Sequence, residues 1–193
     1  MAKIKLNAAS GGGSVSLQAP SSSSNDRVYS LPDSAHISTL AGILEYDQFH
    51  LTADKTDNTV ITANLQRVSL TGSAVPLGTG MSQSSGIFTF PSTGKYLVIV
   101  TGLFGVNGAD NCQIKTQVTT NNSTYTDFAT AEDGNNGTGS KIGSATSFSF
   151  IDVTDTSQVK VRFTVGSLDS GSKVNGQSDL IKTNFVFIRI GDT

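Results

Sequence analysis

From Tyr46 onward, apolar and polar residues trade places at every second position. Val159, Val161, Phe163 and Val165 share one parity, with Lys160 and Arg162 on the other. That period of two predicts a half-buried strand. Cys112, Ile114, Thr116 and Val118 repeat the pattern. Phe49 and Leu51 alternate with His50 and Thr52. Val60, Thr62 and Asn64 alternate with Ile61, Ala63 and Leu65, and Val68 and Leu70 follow. Ile87-Phe88-Thr89-Phe90 leads through Pro91-Ser92-Thr93-Gly94 into a long apolar strand over 95–104. Tyr125 and Phe128 mark another strand, and Phe148-Ser149-Phe150 alternates before Asp152. The run 185–190 is apolar on both parities, as expected of a strand covered on both sides. Loops rich in Gly, Asn, Asp and Ser are predicted at 54–58, 106–110, 133–139 and 167–176. Residues 41–193 therefore read as an all-β domain, an antiparallel β-sandwich or jelly roll. The absence of strand–helix–strand alternation argues against a nucleotide-binding parallel sheet.

Residues 1–40 read differently, as an extended N-terminal arm with short strands. Lys3-Ile4-Lys5-Leu6 alternates, then Gly11-Gly12-Gly13 breaks any regular element. Val15, Leu17 and Ala19 share a face in the next short strand. Val28 and Leu31 belong to a third, stopped by Pro32 and Asp33. Ile4, Leu6, Val15, Leu17, Val28 and Leu31 are too few to make a core, so they call for a partner. Forty extended residues reach on the order of 130 Å. Such an arm is suited to docking by strand addition. Residues 34–45 form the one predicted short helix: Ser34 is a cap, Ile37, Leu40 and Leu44 keep helical spacing, and Gly42 weakens it.

Charge and composition narrow the chemistry. The net charge is −2 and the charged fraction 15%, against an ordinary ~25%. With no basic run, a generic phosphate-backbone binder is not expected, and nucleic acid is not a predicted partner. No stretch approaches the ~18–20 apolar residues that span a bilayer, so membrane insertion is not expected. Lys3 and Lys5 are not followed by an apolar run, so no secretory signal is predicted there. Cys112 is the single cysteine, which excludes an internal disulfide and reads as a small buried hydrophobe. His36 and His50 lack motif neighbours, and His50 is expected as a half-exposed strand residue. Glu132-Asp133 and Asp152 with Asp155 stand in turn contexts. The run 132–136 offers oxygens of the kind Ca²⁺ takes, without the spacing of a dedicated loop. No cofactor, metal or catalytic residue is expected, and the chain reads as non-enzymatic. Asn107, Asn122, Tyr125, Asp133 and Asn135 lie in amide-rich loops of the kind that suit a hydroxyl-rich surface glycan.

Gly86-Ile87-Phe88-Thr89-Phe90-Pro91-Ser92-Thr93-Gly94-Lys95-Tyr96-Leu97-Val98 resembles the central signature of the C1q/tumour-necrosis-factor jelly roll. Phe185, Phe187 and Ile188 are similar to that family's closing strand at the trimer axis. Separately, 13–20 followed by 25–33 resembles modules near the starts of tailed-bacteriophage structural proteins. The combination implies a virion surface protein, assembled in the host bacterial cytoplasm, of tail-fibre, head-fibre or capsid-decoration type. It further implies a homotrimer, with Phe88, Phe90, Tyr96, Val98, Phe185 and Phe187 in its core and trimer strands. The arm would then meet other virion proteins and the loops a host surface. A secreted lectin-like or cytokine-like ligand is the competing expectation.

Overall fold

The computed structural model describes residues 3–7, 14–18, 43, 45–73, 75–169 and 171–193. The chain divides into two compact units, Met1–Leu40 and Ala41–Thr193. In the first, β1 (Lys3–Asn7) and β2 (Ser14–Gln18) form an antiparallel pair. Its register sets Ile4 opposite Leu17 and Leu6 opposite Val15, so these four positions share one face of the ribbon. Val28, Leu31 and the predicted helix up to residue 42 lie outside the described residues. Glu45, the last residue of that helix, instead opens a strand.

The second unit is a sandwich of two antiparallel sheets. One sheet contains β3 (Glu45–Leu51), β4 (Leu65–Arg67), β7 (Gly94–Asn107), β10 (Ser140–Val153) and β13 (Asn184–Gly191), in the order β10-β7-β13-β3-β4. The short β12 (Lys173–Val174) also pairs with β7. The other contains β5 (Ser82–Ser84), β6 (Ile87–Thr89), β8 (Asp110–Thr119), β9 (Thr126–Asn135) and β11 (Lys160–Gly166), in the order β5-β6-β11-β8-β9. The chain changes sheet between β4 and β5, β6 and β7, β7 and β8, β9 and β10, β10 and β11, and β11 and β12. This weaving between layers is a jelly roll.

Phenylalanines fill the space between the layers. Phe163 stacks on Phe185 at 4.3 Å between ring centroids, and Phe88 meets Phe49 edge-on at 5.0 Å. Such pairs add ~0.5–1.5 kcal/mol beyond the area they bury. Phe88, Phe90, Tyr96, Val98, Phe185 and Phe187 all sit in this core. The Tyr96 hydroxyl is satisfied there by donating to the Ser92 carbonyl at 3.1 Å.

Five local expectations need correction. The strand expected over 60–65 is only a single bridge at Val60, followed by β4, because Asn64 adopts a positive φ of 58° and turns the chain. The loop expected at 133–139 is shorter, since β9 runs to Asn135 and β10 starts at Ser140. The loop expected at 106–110 shortens likewise: β7 reaches Asn107 and β8 begins at Asp110. That expected at 167–176 contains β12. His50 is only 1% exposed, not half-exposed. The segment beyond β12 passes beside it: Gln177 donates its N–H to the Leu51 carbonyl and its own carbonyl accepts from His50.

A half-buried charge pair ties the front of this sheet together. Asp47 is 1% exposed and receives Arg67 through Nε at 3.0 Å and Nη2 at 3.0 Å. Its carboxylate also accepts the N–H groups of Gln48 and Met81, and Arg67 lies 5.0 Å over the Phe49 ring. The pair therefore anchors the segment 68–81 to β3. Arg67→Ala is expected to cost about 2 kcal/mol in urea unfolding, below the usual loss for breaking a buried pair because the Arg67 side chain is partly exposed and two backbone donors still serve the carboxylate. A loss under half that would mean the clamp is dispensable.

Candidate functional site

Strand register places a continuous apolar surface on the outward side of the larger sheet. Reading across β10, β7, β13 and β3, one row is Phe148, Ile99, Val186 and Gln48. The next is Phe150, Leu97, Ile188 and Tyr46. A polar row flanks them on one side: Thr146, Thr101, Asn184 and His50, with the two threonine hydroxyls 3.0 Å apart. On the other side Lys95 pairs with Asp152 at 3.1 Å. The strand that is apolar on both parities thus sends Phe185 and Phe187 inward and Val186 and Ile188 outward.

Phe148 and Phe150 are 62% and 65% exposed, while Ser147 and Ser149 between and before them are buried with no hydrogen-bond partner for either hydroxyl. This reverses the usual polarity of a strand. The inward side of this part of β10 lies at the flank of the sandwich, where β9 and β10 come together. A Cβ on Gly143 would stand 1.6 Å from Asp133 Oδ2, and Ala131 on β9 is buried. With Asp133 in place, position 143 has no room for a side chain. Along this stretch of β10 Phe148 and Phe150 face outward, and beyond them Ile151 and Val153 return to the core.

At the opposite edge of the same face, beyond Tyr46, lies a groove of about 670 Å³. Ile43, Tyr46, Val68, Leu70, Leu77 and Ile181 line it. Tyr46 and Leu77 hold each other through two backbone hydrogen bonds of 3.1 and 2.9 Å. Burial, with the neighbouring Asp47 charge, raises the Tyr46 phenol above its ordinary pKa.

The residues expected to form a recognition surface fall at both ends of the sandwich. Asn107, Asp133 and Asn135 stand at one end, near the starts of β8 and β10. Asn122 and Tyr125 lie in or beside the β8–β9 connection, at the other end. Asp133 is paired with Lys141, Asn107 accepts from Ser140, and Asn135 closes its own turn by bonding Gly137 and Gly139. Arg162 covers the Tyr125 ring at 3.9 Å. These side chains are thus engaged in local structure and do not converge.

A polar cleft of about 440 Å³ opens at the first end, lined by Asp110, Asn111, Asn135, Asn136, Ser167 and Asp169. Burial pushes the Asp110 carboxyl up, but hydrogen bonds from Ser172 and the Asp169 and Asn111 amides outweigh it and hold it below the ordinary value. Glu132 accepts from Asn111 at 2.6 Å, and Asp155 from Ser157 at 2.7 Å. Among the described residues, no group of three or more His, Cys, Asp or Glu side chains is placed to hold a metal ion. Nor is any described helix long and apolar enough to cross a membrane.

No family model and no curated protein sequence matches the chain. Solved structures do match. Eiger TNF from S. frugiperda superposes with a TM-score of 0.60 at 12% identity, over 79% of this chain and 96% of that one. Murine APRIL gives 0.57 at 12% identity, over 76% and 98%. The fold is a TNF-like jelly roll. At such identity the likeness concerns architecture, and the apolar double row stands on its own register and exposure.

Cys112 lies in the core of this jelly roll, fully buried. Burial first, then the nearby Asp110 charge, pushes its thiol up to about 11. The folded protein is expected to resist a thiol-reactive dye at pH 8 and to react fully once unfolded. Because the folded pKa is raised, the neutral thiol's contribution to stability is complete below the unfolded value and is lost as pH climbs toward 11. Prompt labelling of the native protein at pH 8 would contradict this placement.

Proposed function

We propose that this chain is a non-enzymatic structural protein that self-associates into a trimer and is displayed on the surface of a tailed-phage virion. The observation that carries the reading is the apolar double row on the outward face of the larger sheet. Its four inner positions, Ile99, Leu97, Val186 and Ile188, are flanked by two phenylalanines more than half exposed. A contiguous exposed apolar face of this kind marks a protein–protein contact. The C1q/TNF resemblance supplies the trimer, and the resemblance of the arm segments to phage modules supplies the virion.

In this reading the body forms the head and the arm the anchor. β3 starts and β13 finishes at the same end of the sandwich, as Glu45 pairs with Arg189. That leaves the end carrying the 107–110 and 135–140 connections free to project. The arm's hairpin has only four apolar positions on its shared face. A two-stranded ribbon is marginal alone, which supports a docking role for it.

The test is copy number. Quantitative mass spectrometry of purified particles compares this chain with the major shell protein. A ratio near one supports a decoration protein clamped by the arm. A far lower number, in multiples of three, supports a fibre at a unique site. Absence from particles overturns the virion reading. A variant lacking residues 1–33 is expected to remain a folded trimer and to fail to join particles; incorporation without the arm would refute its docking role. The second reading, a cytokine-like ligand, is favoured by the likeness to Eiger TNF and APRIL. It would be supported by absence from particles together with saturable binding of the free trimer to cells.

A further inference from the structure

The outward face of the smaller sheet is polar, and it carries cations that the fold leaves unpaired. Val161, Phe163 and Val165 of β11 are buried, so Lys160 and Arg162 between them turn outward. The two stand on one strand face, about 7 Å apart along it. Among the described residues of the sandwich, Lys160, Arg162 and Lys182 are the lysines and arginines with no carboxylate at ion-pair distance. Of these, Lys160 and Arg162 are neighbours on this one face.

Arg162 is held in a fixed pose. Its guanidinium covers the Tyr125 ring at 3.9 Å, and its Nε–H donates to Gln117 Oε1 at 2.8 Å. Gln117 in turn donates to Asp127 Oδ1 at 2.7 Å, and Lys115 to Asp127 Oδ2 at 2.9 Å. Asp127 is thereby engaged by other donors, which hold its carboxyl below the ordinary value. Among the described residues, neither Nη nitrogen of Arg162 has a protein acceptor. Lys160 donates to Thr89 Oγ1 at 2.9 Å and to the Thr156 carbonyl at 3.1 Å, which leaves one N–H of its three. Asp155 feels the Lys160 charge but accepts its hydrogen bonds from Ser157. A planar guanidinium fixed by stacking and by its Nε, with the Nη edge open, is prepared for a bidentate bond to a carboxylate.

The surroundings narrow the ligand. Thr89, Gln117 and Thr164 occupy outward positions beside the two cations. Phe128 is the extra residue of a bulge next to Asp127, and it is 55% exposed. Bulges concentrate beside functional sites, and an open aromatic ring suits the C–H face of a sugar. Two cations are too few for a phosphodiester backbone, which is bound through many. They fit a ligand of sparse carboxylates and many hydroxyls. We propose that Arg162 and Lys160, with Gln117 and Phe128 beside them, form a binding site for a carboxylate-bearing polysaccharide, with Tyr125 as the floor under the arginine. The site lies within one chain and depends on neither the trimer nor the virion reading.

The test is calorimetry on the full chain at physiological salt. Hyaluronan and oligogalacturonate fragments are the acidic probes. A chitin fragment supplies sugar without carboxylate, polyglutamate supplies carboxylate without sugar, and single-stranded DNA supplies phosphate. Binding is expected for the acidic fragments alone. Arg162→Gln is expected to weaken it about tenfold or more. Arg162→Lys should lose most of the same affinity, because it keeps the charge and gives up the fork; it carries the test if Arg162→Gln does not fold. Lys173→Gln removes a cation paired with Asp54 on the other sheet and should bind unchanged. Urea midpoints check that each variant is folded. Undiminished binding by both Arg162 variants would overturn the site. Equal binding of chitin would overturn the carboxylate, and equal binding of polyglutamate or DNA would overturn the sugar. Silence from both acidic fragments at millimolar concentration would overturn the proposal as a whole.

Discussion

If the double row is the contact between copies proposed above, Phe148→Glu combined with Phe150→Glu is expected to leave a folded monomer. Both rings point away from the core, so the substitutions remove nothing from the packing between the layers. What they remove is burial at each contact between copies. Covering a phenylalanine contributes ~1.5–3 kcal/mol, so two per contact amount to about 3–6 kcal/mol. At 1.4 kcal/mol per factor of ten, that is roughly two to four powers of ten in dissociation constant before the new charges are counted. An uncompensated carboxylate in an apolar contact adds a further penalty. Light scattering at micromolar concentration should report the mass of one chain, and far-ultraviolet circular dichroism should be unchanged. A trimer that survives both substitutions would show that the double row is not the contact. Loss of the β spectrum would show that the rings support the fold after all.

These two residues also mark where the sequence stops being readable. Alternation in β10 is plain, but its direction is set by the flank it lies on. A rule that turns large apolar residues inward would bury Phe148 and Phe150 and expose Ser147 and Ser149. The structure does the opposite: the serines face the flank where β9 and β10 come together, and the phenylalanines face outward. One signal was available: Ile151 and Val153 share parity with the serines, whereas Asp152 and Thr146 share parity with the phenylalanines. Elsewhere direction is legible. In β11 the charged Lys160 and Arg162 oppose Val161, Phe163 and Val165, and solvation of charge leaves a single solution. In 185–190, apolarity on both parities announces two covered faces, and the register then sends Val186 and Ile188 outward. The groove was not legible at all. It is assembled from Ile43, Tyr46, the 68–77 segment and Ile181, which are distant in sequence and joined only by the fold. His50 was misread for a similar reason: its cover comes from Gln177, more than a hundred positions later.

Gly86→Ala is expected to have the largest effect of any single methyl group on the body. Gly86 and Ser85 form the two-residue connection between β5 and β6, with φ of +81° and +49°. Positive φ at both central positions is the signature of the tight hairpin turn that matches strand twist. A non-glycine residue in the left-handed region costs ~1–2 kcal/mol by itself. Space then decides the outcome. A Cβ at Gly86 would lie 2.0 Å from the carbonyl oxygen of Ile61. That oxygen belongs to backbone, so no rotamer change relieves the overlap. Ile61 is itself fixed by donating its N–H to the Phe163 carbonyl at 2.9 Å, and its side chain is buried in the core. Relief requires moving the β5–β6 hairpin away from β11, and Phe88 on β6 packs against Phe49, Phe163 and Phe187. The loss should reach several kcal/mol, a large part of the ~5–15 kcal/mol available to a domain. Gly108→Ala is the matched control, since Gly108 also has a positive φ, +71°, but nothing lies within 4 Å of its Cβ position. The control should lose about 1 kcal/mol in urea unfolding, the backbone share alone. Gly86→Ala should yield insoluble protein or no cooperative transition. Equal and small losses for both variants would mean that the segment at Ile61 yields to the methyl group, and that the β5–β6 hairpin is not pinned to the sandwich as described.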